Sequence, residues 1–183
     1  MRTAFLLSLL VVTGCVRLPS APSLTGDDGA RLGLVPSGGA QAPLELSLSR
    51  HPGGEAWRLA DDRGSVVLLD VWATWCDPCR ESLPFYEDVA RQFGARGLKV
   101  YAISVDADAA VIAPFLKDLK LTLPVLHDPE AAVSGSTLKV KQMPTSVLVD
   151  RRGVVRRVHE GLSDDYFQQT LTDVERLLAE PAK

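Results

Sequence analysis

Hydrophobic positions from residue 44 onward follow the periods of strands and helices in turn. Leu44, Leu46 and Leu48 alternate with polar residues, which predicts a half-buried strand. Continuous apolar runs predict strands covered on both faces, and apolar residues at helical spacing predict amphipathic helices. These patterns give strands at 66–72, 98–105, 146–150 and 154–159 and helices at 78–95, 107–119 and 164–179.

The alternation of strands and helices predicts the fold class. The last two strands flank the turn Arg151-Arg152-Gly153, which is typical of a hairpin. The pattern indicates an α/β protein with a central mixed β-sheet flanked by helices, and the strand around residue 46 extends this sheet at its N-terminal side.

Composition and charge narrow the possible functions. Hydrophobic residues make up 46% and charged residues 23% of the 183 positions, which excludes a disordered chain, a collagen-like chain and a multi-span membrane protein. The formal net charge is −3, so no basic excess is available to neutralise phosphates. Nucleic acid is therefore not an expected partner.

The first fourteen residues have the pattern of an export signal. Arg2 precedes an apolar run over 4–12, which is shorter than the ~20 residues of a membrane-spanning helix. The run ends in Val12-Thr13-Gly14-Cys15, which resembles the lipobox of bacterial lipoproteins. The resemblance implies a signal peptide at 1–14 and a lipid anchor on Cys15. An ordinary cleaved signal, with an incidental Cys15, is the alternative.

A linker follows the predicted anchor. Residues 15–43 are rich in proline and glycine and carry no apolar period, which predicts a lipidated anchor and flexible linker ahead of a domain over 44–183. A partly ordered extension packed on the domain is the alternative. Val16, rather than an aspartate, follows the anchor cysteine, which in Gram-negative bacteria favours the outer membrane.

The segment 72–80, WATWCDPCR, carries two cysteines where a buried strand meets a helix. Cys76 is predicted at the helix N-terminus, where unpaired N–H groups and the helix dipole stabilise a thiolate and make it nucleophilic. Cys79, one turn further, can attack a mixed disulfide on Cys76 and release the substrate. Pro78 suits the first turn of a helix.

WATWCDPC resembles the active-site signature of the thioredoxin superfamily, and residues 44–180 resemble the TlpA/ResA group of membrane-tethered thiol-disulfide oxidoreductases. Pro84 falls where thioredoxins kink the active-site helix, and Asp70 matches their buried carboxylate. The resemblance implies a thioredoxin-like fold and a redox-active Cys76–Cys79 disulfide that works without a further cofactor. It also implies Cys76, Cys79 and Asp70 as the catalytic residues.

Asp70 has two possible roles. It could accept the proton of the resolving thiol, or it could be a hydrogen-bonded structural residue of its strand. The lysine that thioredoxins place beside this carboxylate aligns with Ala102, so we expect burial without a nearby cation to raise the pKa of Asp70. Glu81 lies one position before the glutamate of many relatives, and we predict a solvated helix residue.

The same resemblance implies a substrate-binding surface. Met143-Pro144-Thr145 matches the cis-proline loop of the superfamily, against which an extended substrate segment can pair as an added strand. Met143 offers an adaptable apolar contact, and Trp75 is expected at the rim beside Cys76. Trp72 is expected in the core. Asp77, next to Cys76, opposes the thiolate and favours reducing behaviour.

Other site types fit the residues less well. A zinc site needs four protein ligands, whereas His51, His127 and His159 stand apart in the sequence, so no metal is expected. His127, in Leu126-His127-Asp128-Pro129, has no assigned role. A static disulfide across two residues would stabilise little.

Two other functions stay open as alternatives. A thiol peroxidase of this fold uses Pro-x-x-x-Thr-x-x-Cys, but Leu69 and Ala73 occupy the proline and threonine positions. A copper carrier of this fold uses Cys-x-x-x-Cys with a distant histidine; the spacing here is one residue short, although His127 or His159 could serve. A tethered binding module is the related non-enzymatic alternative.

The resemblance thus implies a thiol-disulfide oxidoreductase held in the cell envelope, outside the cytoplasmic membrane, through Cys15. Its expected substrates are disulfides of exported proteins, for example oxidised apocytochrome c. Its expected partners are these exported proteins and a membrane protein that donates electrons.

Overall fold

A mixed β-sheet of seven strands runs through residues 42–181, the part of the chain that the computed structural model describes. The strand order is β2-β1-β5-β4-β3-β6-β7. The strands are β1 Ser47–His51, β2 Ala56–Arg58, β3 Val66–Trp72, β4 Leu98–Ser104, β5 Val125–His127, β6 Thr145–Val149 and β7 Val155–Glu160. The helices are α1 Cys79–Phe93, α2 Ile112–Asp118 and α3 Tyr166–Ala179, with short 3-10 and π-helical turns between elements.

Strand β3 is the centre of the sheet. It pairs in parallel with β4 and antiparallel with β6, and all seven of its residues are buried. A strand covered on both faces needs apolar side chains on both, which explains its nearly continuous hydrophobic run. Helices α1 and α2 connect the parallel strand pairs β3 to β4 and β4 to β5. The carboxyl end of β3 therefore leads directly into the segment with the two cysteines.

The three helices share one face of the sheet, because α2 and α3 both contact α1. Phe85 on α1 packs against Phe167 on α3 with ring centroids 4.5 Å apart. Arg80 on α1 pairs with Asp118 at the end of α2, with an N–O distance of 3.0 Å. Alternate residues of β3 point to this face, and among them Trp72 stacks on Phe115 of α2.

The predicted fold class is confirmed, and helices α1 and α3 agree with the sequence pattern to within two residues at each end. Helix α2 is shorter than predicted because Pro114 has no N–H to donate and fits only the first turn of a helix. Trp72 is buried in the core, as predicted.

The N-terminal part of the sheet differs from the prediction. Leu46 and Leu48 are buried in alternation, but β1 begins only at Ser47, since the N–H of Leu44 donates to the Gly153 carbonyl instead. Strands β2 and β5, three residues each, are too short to show a period. His127, which has no role assigned from the sequence, ends β5.

The predicted signal peptide at 1–14, the anchor at Cys15 and almost all of the linker lie outside the described residues.

Between residues 42 and 181, none of the helices combines the length and the apolar character that crossing a membrane requires.

Candidate active site

The loop between β3 and α1 carries a disulfide between Cys76 and Cys79, whose Cα atoms are 5.3 Å apart. Cys79 is the first residue of α1, and Cys76 lies three positions before it rather than at the helix start. The N–H of Cys79 donates to the Cys76 carbonyl, and the next two N–H groups donate to Asp77 and Pro78. These short-range bonds extend the first turn backwards, so Cys76 opens the turn that leads into α1.

The two sulfur-bearing residues differ in accessibility. Cys76 is 6% exposed, whereas Cys79 is completely buried. The neighbours Trp75, Asp77 and Pro78 are exposed, and Trp75 is 68% exposed. A protein substrate can therefore approach Cys76 but not Cys79, which is the asymmetry that separates an attacking from a resolving cysteine.

Trp75 and Met143 line one cleft of about 300 Å³ next to Cys76. The cleft has four further apolar lining residues, which are Val71, Val105, Ala131 and Val140. Its polar lining residues are exposed and are Glu130, Lys141 and Gln142. The Met143–Pro144 peptide bond is cis. Pro144 and Thr145 are buried. The Thr145 hydroxyl donates a hydrogen bond to the Gln142 carbonyl of the same loop.

Asp106 holds the active-site loop in place, and the sequence pattern did not single it out. Its buried carboxylate accepts hydrogen bonds from the backbone N–H and the hydroxyl of Thr74 and from the hydroxyl of Ser104. His127 Nε2 lies 2.7 Å from the Asp106 carbonyl, which makes Nε2 the donor. Because Thr74 is two residues before Cys76, this network holds in place the chain segment that leads to the nucleophilic cysteine.

Asp70 lies on β3 with no exposed surface, and neither carboxylate oxygen has a hydrogen-bond partner within residues 42–181. Its position opposite on β4 is Ala102, so this neighbouring strand supplies no cation there. Burial therefore raises the pKa of Asp70 well above its ordinary value, in agreement with the expectation from sequence. A raised pKa keeps the proton on this carboxyl to a higher pH than on an ordinary aspartate.

Glu81 is exposed on α1, as predicted. Within residues 42–181, no group of three or more histidine, cysteine, aspartate or glutamate side chains is arranged to hold a metal ion.

Comparison with known proteins gives the family. Residues 39–158 match the AhpC/TSA family. The thiol-disulfide oxidoreductase ResA of Oceanobacillus iheyensis is 32% identical over 118 residues, which are 64% of this chain and 61% of that protein. The chain thus spans about three fifths of that relative. ResA of Geobacillus kaustophilus is 30% identical over 125 residues, 68% of each chain.

A solved structure agrees with these relatives in sequence and fold. A Chlorobium tepidum protein assigned as the thiol:disulfide interchange protein DsbE superposes with a TM-score of 0.68 at 32% identity, covering 74% of this chain and 94% of that one. The predicted membership of the thioredoxin superfamily is confirmed by these matches. The chain belongs to the AhpC/TSA family and, within it, to the thioredoxin-fold group of thiol-disulfide oxidoreductases.

Proposed function

We propose that this protein is a membrane-tethered thiol-disulfide oxidoreductase that reduces disulfides of exported proteins. The observation that carries the proposal is the Cys76–Cys79 disulfide, in which Cys76 keeps 6% of its surface exposed beside an apolar cleft and Cys79 is completely buried. The family relationship supports the same chemistry.

The reaction proceeds in two exchanges. In the reduced protein, the Cys76 thiolate attacks one sulfur of the substrate disulfide, that S–S bond breaks, and one substrate sulfur leaves as a thiolate. Cys79 then attacks the Cys76 sulfur of the mixed disulfide, which releases the second substrate sulfur and forms the Cys76–Cys79 bond. Two electrons pass from the enzyme to the substrate, and burial of Cys79 restricts the first attack to Cys76.

Charges around Cys76 support the reducing direction. Asp77 is exposed directly beside Cys76, and a carboxylate there disfavours the thiolate. Arg80, the first cation after Cys79, pairs with Asp118 and lies over the Phe115 ring. Asp77 therefore offsets part of the stabilisation that the turn into α1 gives the Cys76 thiolate, and we expect a potential nearer to the about −270 mV of thioredoxin than to the about −120 mV of DsbA. A measured potential above about −150 mV would assign an oxidase instead.

The cleft and the N-terminal sequence support the proposal that the substrates are exported proteins. An apolar cleft with polar groups at its rim suits an extended, unfolded segment around a substrate cysteine, as in an oxidised apocytochrome c. The signal-like residues 1–14 and the lipobox at Cys15 support a position in the cell envelope, with the outer membrane favoured. Outside the cytoplasm, the oxidised enzyme requires a membrane electron donor for each new cycle.

Trapping tests this function directly. Cys79→Ala, produced in the native host, lacks the resolving thiol and should accumulate Cys76 in mixed disulfides that mass spectrometry identifies. Cys76→Ala is the matched control and should capture nothing. Cys15→Ser should release the protein from the membrane fraction. If Cys79→Ala captures no protein while copper copurifies with the wild type, the copper-carrier alternative replaces this proposal.

A further inference from the structure

Two consecutive residues in the left-handed backbone conformation form one wall of the cleft beside Cys76. Glu130 and Ala131 have φ angles of 57° and 56°, and both line the cleft together with Trp75 and Met143. Residues other than glycine rarely adopt this conformation, which persists only where neighbouring contacts hold the backbone in it. This wall of the cleft therefore needs a support from outside the two residues.

Asp128, which directly follows β5, provides such a support. The residue is buried, with 1% of its surface exposed. Its two carboxylate oxygens accept hydrogen bonds from the N–H groups of Val133 and Ser134, at 2.9 and 2.6 Å. Its carbonyl accepts a further bond from the Ala131 N–H at 3.0 Å. Asp128 thus bonds to the backbone both within the left-handed pair and beyond it, which closes the turn.

The same residue links two parts of the cleft lining to the sheet. The Asp128 N–H donates to the carbonyl of Ser104 at the end of β4, at a distance of 2.9 Å. The Ser134 carbonyl accepts from the N–H of Val140 at 3.3 Å, and Val140 also lines the cleft. Hydrogen bonds therefore run from the end of β4 through Asp128 to both ends of the segment 130–140.

The carboxylate of Asp128 is suited to hold a strained turn. A charged acceptor makes shorter and stronger hydrogen bonds to N–H groups than a neutral carbonyl does. Burial keeps water from competing for the two oxygens, which strengthens these bonds further. Without the carboxylate, the N–H groups of Val133 and Ser134 would lose their acceptor, and we expect Glu130 and Ala131 to leave the left-handed conformation.

We propose that Asp128 is a positioning residue that shapes the cleft and thereby sets the preference of the enzyme for substrates with a large apolar side chain beside the reactive cysteine. The inference rests on the proposed function and adds to it the residue on which substrate selection depends. The cleft of about 300 Å³ is large enough for one such side chain among its apolar lining residues. Asp128 acts on the substrate through the cleft wall formed by Glu130, Ala131 and Val140.

Two cyclic peptide disulfides that differ only in the residue before one cysteine, leucine or serine, measure this preference. The reduced full chain is mixed with an excess of each peptide, and samples quenched with acid and alkylated give the rate of oxidation of Cys76 and Cys79. The wild type should react about tenfold faster with the leucine peptide, because only leucine gains from burial in the apolar cleft. In Asp128→Ala this ratio of second-order rate constants should fall to near one.

Asp150 provides the matched control. It is also a buried aspartate, and its carboxylate accepts the N–H groups of Arg152 and Val154. The turn that it closes follows the far end of β6, whereas the cis-proline loop precedes the near end of this strand beside the cleft. Asp150→Ala should therefore lower the thermal unfolding midpoint, as Asp128→Ala does, but keep the wild-type ratio for the two peptides.

A conservative variant guards against loss of the fold. Asp128→Asn keeps one oxygen that can accept from Val133 or Ser134, so its ratio should lie about threefold below that of the wild type. If Asp128→Ala does not fold, Asp128→Asn carries the comparison with Asp150→Ala.

The results separate this inference from the proposed function. A ratio near one in the wild type, or a wild-type ratio in both Asp128 variants, would overturn the role of Asp128 and leave the oxidoreductase function intact. An equal loss of the ratio in Asp150→Ala would also overturn it, because any destabilisation would then have the same effect. A reduced wild type that neither peptide oxidises would refute the proposed function itself.

Discussion

Thr74 and Asp106 are joined across two loops by the backbone N–H and the hydroxyl of Thr74, both of which donate to the Asp106 carboxylate. The shortest of these contacts, from Thr74 Oγ1 to Asp106 Oδ1, is 2.7 Å. The residues are 32 positions apart in sequence, and one precedes the active-site cysteines while the other follows β4. These bonds thus hold the reactive loop two residues before its first cysteine.

Asp106→Ala should lower the free energy of unfolding by about 2 to 3 kcal/mol, because it leaves the partly buried donors of Thr74 and the buried hydroxyl of Ser104 without their charged acceptor. Chemical denaturation measures this loss. Asp108→Ala is the control, since the exposed Asp108 side chain accepts only from Ala110 N–H and should cost about 1 kcal/mol. Equal effects of the two substitutions would show that Asp106 has no special structural role.

Asp70 should make stability fall as pH rises. Its pKa is raised by burial; the residues that face it are Tyr86 from α1, Tyr166 from α3, and the uncharged Ala102 and Ser146 from the adjacent strands. Above the ordinary pKa of about 3.9, the unfolded chain releases this proton while the folded protein keeps it, so folding becomes less favourable.

Asp70→Asn removes this titration. The unfolding free energy of the variant minus that of the wild type should increase with pH from about 4 upward and level off above the folded pKa of Asp70. Denaturation curves at a series of pH values measure it. A difference that stays constant across this range would contradict the raised pKa of Asp70.

Trp75→Ala should reduce activity without reducing stability. With 68% of its surface exposed, Trp75 contributes little to the core, so the unfolding free energy should change by less than about 0.5 kcal/mol. The kcat/KM for a peptide disulfide should fall about tenfold, because an exposed aromatic in a cleft is typical of a binding contact. Val111→Ala, which removes the other exposed large apolar side chain of residues 42–181, should change neither quantity. Similar losses in both variants would remove the specific role of Trp75.

Asp150 should protect the fold at neutral pH but not in acid. Burial alone would raise the pKa of Asp150, but the N–H groups of Val154 and Arg152 and the Arg152 and Arg156 side chains together lower it. A lowered folded pKa stabilises the protein above the ordinary aspartate pKa, and this contribution is lost as pH falls through the folded value. Asp150→Asn should therefore be less stable than the wild type at pH 7, and the gap should close in acid. A gap independent of pH would refute this assignment.

The sequence predicted those parts of the molecule whose signals are local. The apolar run of β3 and the helical spacing of α1 each occupy one continuous segment, and WATWCDPC joins them, so the position of the cysteines could be read directly. Strands β2 and β5 are three residues long and are formed by pairing with β1 rather than by their own pattern.

Contacts between distant segments could not be predicted in this way. Asp106 bonds to Thr74 because each residue follows the end of one of two neighbouring strands, β4 and β3. The hydroxyl groups of Tyr86 and Tyr166 are in contact although the residues are 80 positions apart in the sequence. The alignment of Asp70, Ser146 and His159 depends on the register of three strands, and β6 and β7 contain a register shift between Leu148 and Val149. Hydrophobic periodicity indicates the face of a strand but not which residue of the neighbouring strand lies opposite.

The rates at which iodoacetamide alkylates the two cysteines of the reduced protein test the central claim most directly. At neutral pH, Cys76 should react faster than free cysteine, and Cys79 should react only after denaturation, because Cys76 is partly exposed at the start of the turn into α1 and Cys79 is completely buried. Peptide mapping by mass spectrometry assigns each label. Alkylation of Cys79 before Cys76, or a Cys76 no more reactive than free cysteine, would contradict the account.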